Sequence, residues 1–232
     1  MTRFEDYLEN LVKLDLEREE RVGKPEAIFG EGKSVEIIVK IAKKYKEIDK
    51  PVLFTRLNKE QMLALKELGA EVNEIARTAT FGKANEKVGK VAILTAGTAD
   101  ISVAEEAKVT AEFLGLETLT FYDIGVAGLH RIVEPIREIR KSDVDSVIVV
   151  AGMEGALPSI VASLIDLPVI AVPSSIGYGV NLRGISTLFA MLQSCPSGVA
   201  VVNIDNGFGA GVFAYLISRV AKREANRSIS QS

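Results

Sequence analysis

The chain has 232 residues, 47% of them hydrophobic and 25% charged, with a net charge of −3, one cysteine and one histidine. That length allows one or two domains with a real core, and the slightly acidic balance gives no electrostatic footprint for a nucleic acid. One cysteine excludes an intrachain disulfide framework, and one histidine makes multi-histidine metal sites and Ser-His-Asp chemistry hard to build.

The opening MTRFEDYLENLVKLDLEREE is charged and periodic and lacks the apolar core of a signal peptide. With a single cysteine, a reducing cytoplasm is the expected compartment. Phe4, Leu8, Leu11, Val12 and Leu16 fall on one face of a predicted helix. A turn at Gly30-Glu31-Gly32 precedes a second helix from Ser34, with Val35, Ile38, Ile41 and Ala42 inward. Pro51 to Phe54 reads as a strand, Asn58 caps a helix that ends at Gly69, and Ala70 to Ile75 reads as another strand. Thr78 to Lys87 is polar and loop-like.

The composition changes near residue 88, which predicts an N-terminal domain over 1–88 and a second over 89–232. From Lys90 strands and helices alternate. The predicted strands are Val91–Thr95, Glu117–Tyr122, Ser146–Val150, Val169–Val172 and Val199–Asn203. The predicted helices are Ala99–Leu114, Leu129–Arg140, Leu157–Ile165, Leu182–Gln193 and Gly211–Lys222. Short apolar strands in five β-α units argue for an α/β fold with a parallel sheet covered on both faces.

Between Asp145 and Arg219 only Glu154, Asp166, Arg183 and Asp205 are charged. A stretch so poor in charge belongs to a core and to a buried subunit interface. Its longest uncharged run, Gly184 to Ile204, is interrupted by Gln193, Ser194, Pro196, Ser197 and Gly198, so helix-turn-strand fits better than a membrane span.

In open parallel sheets ligands sit outside the carboxyl ends of the strands. The loops there are rich in glycine and small residues: Ala96 to Asp100, Asp123 to Gly128, Ala151 to Gly155, Pro173 to Gly179 and Ile204 to Gly211. Backbone N–H groups in such loops approach a phosphate-bearing ligand closely. The candidate contacts are Gly97, Thr98, Asp100, Gly128, His130, Arg131, Gly152, Met153, Ser174, Tyr178, Asp205 and Asn206. Two glycine motifs fail as nucleotide fingerprints. Gly30-Glu31-Gly32-Lys33-Ser34 has Ala27 where a P-loop needs glycine, and no apolar strand is expected before it. Gly207-Phe208-Gly209-Ala210-Gly211 has Val212 at the last dinucleotide position. Glu154 follows the apolar strand SVIVV, where burial would make a carboxylate a usable base; the plainer alternative is an ion pair with Arg183 or a bond from a backbone N–H. Cys195 ends a helix, which does not by itself activate a thiol.

AGTADISVAEEAKVTAEFLG, YDIGVAGLHRI, AGMEGALPSIVASLIDLPVIAVPSSIGYG and MLQSCPSGVAVVNIDNGFGAG together resemble the LarB family of nickel-pincer cofactor biosynthesis proteins, strongly over Gly89 to Gly211. That family is related to the purine-pathway aminoimidazole ribonucleotide carboxylases of the PurE class. The resemblance implies a PurE-like parallel-sheet C-terminal domain, a smaller α/β N-terminal domain and a homo-octamer. The purine enzymes carry a His-Leu-Pro motif where this chain has Ala156-Leu157-Pro158, and Val180 to Arg183 departs from a glycine-rich segment of the LarB pattern.

The resemblance also implies a reaction. Nicotinic acid adenine dinucleotide is carboxylated at carbon 5 of its pyridinium ring with CO2 as co-substrate. The phosphoanhydride is hydrolysed, releasing AMP and leaving pyridinium-3,5-biscarboxylic acid mononucleotide. It places the catalytic cysteine and glutamate at Cys195 and Glu154. No tightly bound cofactor is expected; Asp100 and Asp205 are the candidates for orienting water or holding a magnesium ion. The rival readings are a purine-pathway carboxylase or mutase and a non-catalytic nucleotide-binding module.

Overall fold

Apolar spacing and capping residues build the helices of the N-terminal part. The computed structural model describes residues 6–8, 12–15, 18–84 and 86–230, and the chain divides into two units, Met1–Asn85 and Glu86–Ser232. In the first unit, β1 (Asp6–Leu8) and β2 (Val12–Leu14) pair antiparallel, with Tyr7 opposite Lys13. This corrects the predicted N-terminal helix: Leu8 and Val12 lie in strands, and Phe4, Leu11 and Leu16 fall outside the described residues. Periodicity in so short an apolar pattern does not arbitrate between helix and strand.

After α1 (Arg18–Val22), β3 (Glu26–Phe29) leads into the Gly30 turn, so a strand does precede that glycine motif. The turn is closed by the protein itself. The Gln61 side-chain amide donates to the Gly30 and Lys33 carbonyls at 3.0 and 2.7 Å. The Ser34 hydroxyl caps α2 (Val35–Glu47) by accepting from Ile37 N. β4 (Val52–Thr55) runs parallel to β3, and Asn58 and Gln61 form a reciprocal capping box on α3 (Lys59–Glu67). β5 (Glu71–Asn73) and β6 (Thr78–Phe81) complete a sheet of order β3-β4-β6-β5; part of the segment expected to be a loop is therefore a strand. Ile38, Ile41, Ala42 and Tyr45 of α2 pack on Val52, Phe54 and Leu65.

The second unit follows the predicted alternation. Its strands are β7 (Gly89–Thr95), β8 (Leu116–Phe121), β9 (Ser146–Ala151), β10 (Val169–Pro173) and β11 (Val199–Val201). They form one wholly parallel sheet of order β11-β10-β9-β7-β8. Its helices are α4 (Ile101–Phe113), α5 (Val133–Lys141), α6 (Leu157–Leu164), α7 (Ile185–Leu192) and α8 (Gly207–Ser230). Ile136 and Ile139 of α5, Leu157 and Val161 of α6 and Met191 of α7 pack on Ala92, Leu94, Val147, Val149 and Ala171. α4 and α8 pack on each other and on the sheet, and the alternate strand residues Val91, Ile93, Ile148 and Ile170 are buried as well. With both faces covered, every residue of β9 is buried.

Several helix boundaries differ from expectation: α4 begins two residues late, α5 begins four residues late, after a tighter 3-10 segment over Val126–Ile132, and α8 runs eight residues further, to Ser230. α7 begins three residues late, because Leu182, Arg183 and Gly184 stand in left-handed conformations (φ 48°, 55° and 91°). α8 begins four residues early, for a reason that lies in the site.

Candidate active site

The sheet ladder continues one step past the strands and stitches the loops at their carboxyl ends together. Ile124 N donates to Thr95 O (3.0 Å), Ala96 N to Val150 O (2.9 Å), Ser174 N to Ala151 O (2.9 Å) and Asp205 N to Pro173 O (2.8 Å). Asp123, Met153 and Asp205, just beyond β8, β9 and β11, all take positive φ (57°, 49° and 53°). Non-glycine residues rarely do so, and such strain gathers at functional sites.

Carboxylates hold these loops further. Asp100 is only 5% exposed. It accepts from Gly97 N at 2.9 Å, and Gly152 stands beside its Oδ1. Burial, outweighing this bond, pushes its carboxyl above the ordinary value, and the nearby Asp205 charge adds to the rise. Asp205 Oδ1 accepts from Ser175 N at 2.7 Å. An oxygen of each carboxylate expected to take magnesium thus already accepts from a backbone N–H, which an octahedral cation would have to displace. This donor set does not fit a resident magnesium ion. Among the described residues no three His, Cys, Asp or Glu side chains gather as a metal cluster.

The β8 loop carries Arg131, whose guanidinium donates at 2.8 Å to both the carbonyl and the carboxylate of Asp123. It lies over Gly128, where a Cβ would stand 2.5 Å from Nε. His130 beside it is exposed.

At the start of α8 the residues expected to receive an anion have other partners. Asn206 Oδ1 accepts from Gly209 N at 2.7 Å, and the buried Glu106 of α4 accepts from Phe208 N at 3.2 Å. The helix therefore opens at Gly207, with its first donors capped by the protein. Gly207 and Gly211 allow α8 to approach α4: their Cβ positions would meet the backbone of Val103 and Ala107. The glycine run is a packing device. The clue missed in the sequence is Glu105-Glu106, two acids among the apolar residues of one helix, where a buried carboxylate needs a partner.

Glu154 is exposed, which corrects the expectation of a buried base, and among the ion pairs of the described residues none joins it to Arg183. Its loop is braced from α7. The Thr187 hydroxyl donates to Met153 O and accepts from Asn181 Nδ2 at 3.1 Å, while Asn181 Oδ1 accepts from Gly184 N at 2.7 Å. Buried Asn181 thus holds the left-handed run before α7. Cys195 is exposed too. It lies between α7 and β11, on a connection that enters the sheet at its amino edge, unlike the other candidates. Ser194 next to it bonds Ser159 of α6, hydroxyl to hydroxyl at 2.6 Å. Glu154 thus stands three residues before the helix to which the Cys195 loop is tied. Thr98 and Tyr178 are exposed at the carboxyl edge.

A wholly parallel sheet with strained, small-residue loops at its carboxyl edge places the second unit among the open α/β domains, in which ligands sit at that edge. Residues 90–232 match the family model for AIR carboxylase, and residues 4–83 match that for the LarB/PurE-like N-terminal domain. The chain belongs to the AIR carboxylase family. An uncharacterized protein of Methanocaldococcus jannaschii is 46% identical over 225 residues, covering 93% of this chain and 87% of that one. The N5-carboxyaminoimidazole ribonucleotide mutase of the same organism is 36% identical over 126 residues, covering 53% of this chain and 75% of that one. A crystal structure of Treponema denticola PurE aligns with a TM-score of 0.46 at 20% identity, covering 60% of this chain and 92% of that one. Among the described residues no helix is long and apolar enough to cross a membrane.

Proposed function

We propose that this protein carboxylates the pyridinium ring of nicotinic acid adenine dinucleotide at carbon 5 and hydrolyses its phosphoanhydride, with Cys195 as nucleophile and Glu154 as base. The observation that carries the reading is the Ser159–Ser194 bond, which links an exposed thiol to the helix following an exposed carboxylate. The LarB/PurE-like match over residues 4–83 supports it.

The chemistry suits these groups. The Cys195 thiolate adds to carbon 4, and the displaced electron pair comes to rest on the ring nitrogen. Carbons 5 and 6 and that nitrogen now form a neutral enamine. Carbon 5 attacks CO2, forming a carbon–carbon bond and an iminium. Glu154 removes the proton from carbon 5 and restores the enamine. The nitrogen lone pair then expels the thiolate and aromaticity returns. Water cleaves the phosphorus–oxygen–phosphorus bridge, releasing AMP and the 3,5-biscarboxylic mononucleotide. Thr98, His130 and Tyr178 are exposed for ligand contact. Assembly is proposed to be homo-octameric, through an apolar surface that includes Ile185, Phe189 and Leu192 on one face of α7.

The test is mass spectrometry of an incubation with the dinucleotide and bicarbonate. The expected products are AMP and a mononucleotide one carboxyl group heavier. Cys195→Ser should abolish carboxylation, because an alkoxide forms far less readily than a thiolate; a fully active Ser variant rejects the covalent route. The mutase-named relatives motivate a second reading, turnover of an aminoimidazole ribonucleotide. The sole histidine, His130, lies in the β8–α5 connection rather than after β9, where Ala156-Leu157-Pro158 stands, and this weighs against it.

A further inference from the structure

We propose that Thr187 of α7 is the positioning residue for Glu154, and that buried Asn181 sets the direction in which its hydroxyl donates. One side chain reaches the residues on both sides of Glu154. The Thr187 hydroxyl donates to Met153 O, and the Thr187 methyl closes on Gly155, where an added Cβ would stand 2.9 Å from Cγ2. Gly155 takes a φ of 62° and returns its N–H to Gly152 O at 2.9 Å, so the turn around Glu154 is tight and its far side lies against Thr187. Glu154 itself is exposed. Its neighbours fix its backbone while its carboxylate faces outward.

The bonds run in one direction only. The Gly184 N–H can only donate, and it donates to Asn181 Oδ1 at 2.7 Å. That turns Asn181 Nδ2 toward Thr187 Oγ1, to which it donates at 3.1 Å. The single hydroxyl proton of Thr187 is then left for Met153 O, which can only accept. Thr187 is wholly buried and Asn181 is 6% exposed, so protein rather than water supplies these partners. Asn181 lies between Val180 and Leu182, which are 83% and 65% exposed. The relay therefore ties the connection before α7 to the loop after β9. Neither buried group is placed to meet a ligand. Their loss displaces Glu154 and lowers kcat, whereas loss of a direct ligand would weaken binding and raise KM.

The kinetic role rests on the proposed carboxylation; the bonded geometry does not. Three variants of the full-length protein test it. Thr187→Val keeps the methyl contact and removes the hydroxyl, and Thr187→Ser does the reverse. Asn181→Asp keeps the shape but accepts from both neighbours, drawing the Thr187 proton away from Met153 O. Amide hydrogen exchange, read by mass spectrometry on peptides spanning residues 152–156, should accelerate on the order of tenfold in Thr187→Val and Asn181→Asp and stay near wild type in Thr187→Ser. Peptides from residues 18–84 should be unchanged in all three. With the dinucleotide and bicarbonate, kcat should fall about tenfold in Thr187→Val at near-constant KM and recover to within about threefold of wild type in Thr187→Ser. A Thr187→Ser protein as impaired as Thr187→Val overturns the proposal in favour of methyl packing alone. Unchanged exchange over residues 152–156 in Asn181→Asp overturns the relay, even where Thr187→Val fails to fold. A raised KM at constant kcat overturns the positioning role. If the wild type makes no carboxylated product, the proposed function fails, while the exchange measurements still decide whether Thr187 holds the Glu154 loop.

Discussion

Replacing Gly207 with alanine separates the two readings of the glycine run at the start of α8. The added methyl would overlap Val103 O and stand 2.9 Å from Ala107 N and 3.0 Å from Glu106 Cβ. Two of these neighbours are backbone atoms of α4, so α8 must move. Overpacking of this kind costs about 1–3 kcal/mol. Moving α8 also weakens the Phe208 N to Glu106 bond, leaving a buried carboxylate short of a donor, at a further cost of about 1–3 kcal/mol. The helix propensity of alanine returns at most about 1 kcal/mol. The net loss is about 1–6 kcal/mol, and each kcal/mol lowers Tm by about 2–4 °C in a protein of this size. Thermal unfolding followed by circular dichroism measures it, with Gly32→Ala as a control, where nothing lies within 4 Å of the Cβ position and only the positive φ of 78° is strained. A Gly207→Ala protein of wild-type stability that loses dinucleotide binding would refute the packing argument and restore a ligand role.

Because Cys195 is exposed, iodoacetamide should modify the native protein once, and saturating dinucleotide should slow that modification at least several-fold; intact-mass measurements showing labelling only in denaturant would contradict this placement. Burial raises the Asp100 carboxyl above its ordinary 3.8, so the folded state holds this proton more tightly than the unfolded chain. Its contribution to stability is complete below that ordinary value and is lost as pH rises through the raised one. The Tm of wild type minus that of Asp100→Asn should therefore fall with rising pH across this window, and a rise would show that the hydrogen bonds outweigh burial. Phe189→Glu on the exposed face of α7 should reduce the mass measured by light scattering, whereas a wild-type monomer at micromolar concentration would refute assembly.

The alternation of apolar runs and small-residue loops after Lys90 made the second unit's strands legible, since a strand buried on both faces has no polar side to disguise it. Ser34 and Asn58 marked helix starts equally well, because capping is local. The first two strands were not legible: three-residue segments carry too little period, and they exist because they pair with each other. The left-handed run at Leu182 and Arg183 was hidden for a related reason, since buried Asn181 enforces it through Thr187 and Gly184.

The sequence alone therefore determined the layered α/β class, the charge-poor core and the residue types available for chemistry. Only the tertiary structure decided which acids work inside the protein and which face outward. Asp100 and Glu106 are buried, bonded to Gly97 N and Phe208 N, while Glu154 and Cys195 are exposed. The reason is that a parallel sheet joins strands through crossovers, so residues distant along the chain meet at one edge, and whether a carboxylate there is enclosed depends on groups from loops it does not adjoin in sequence.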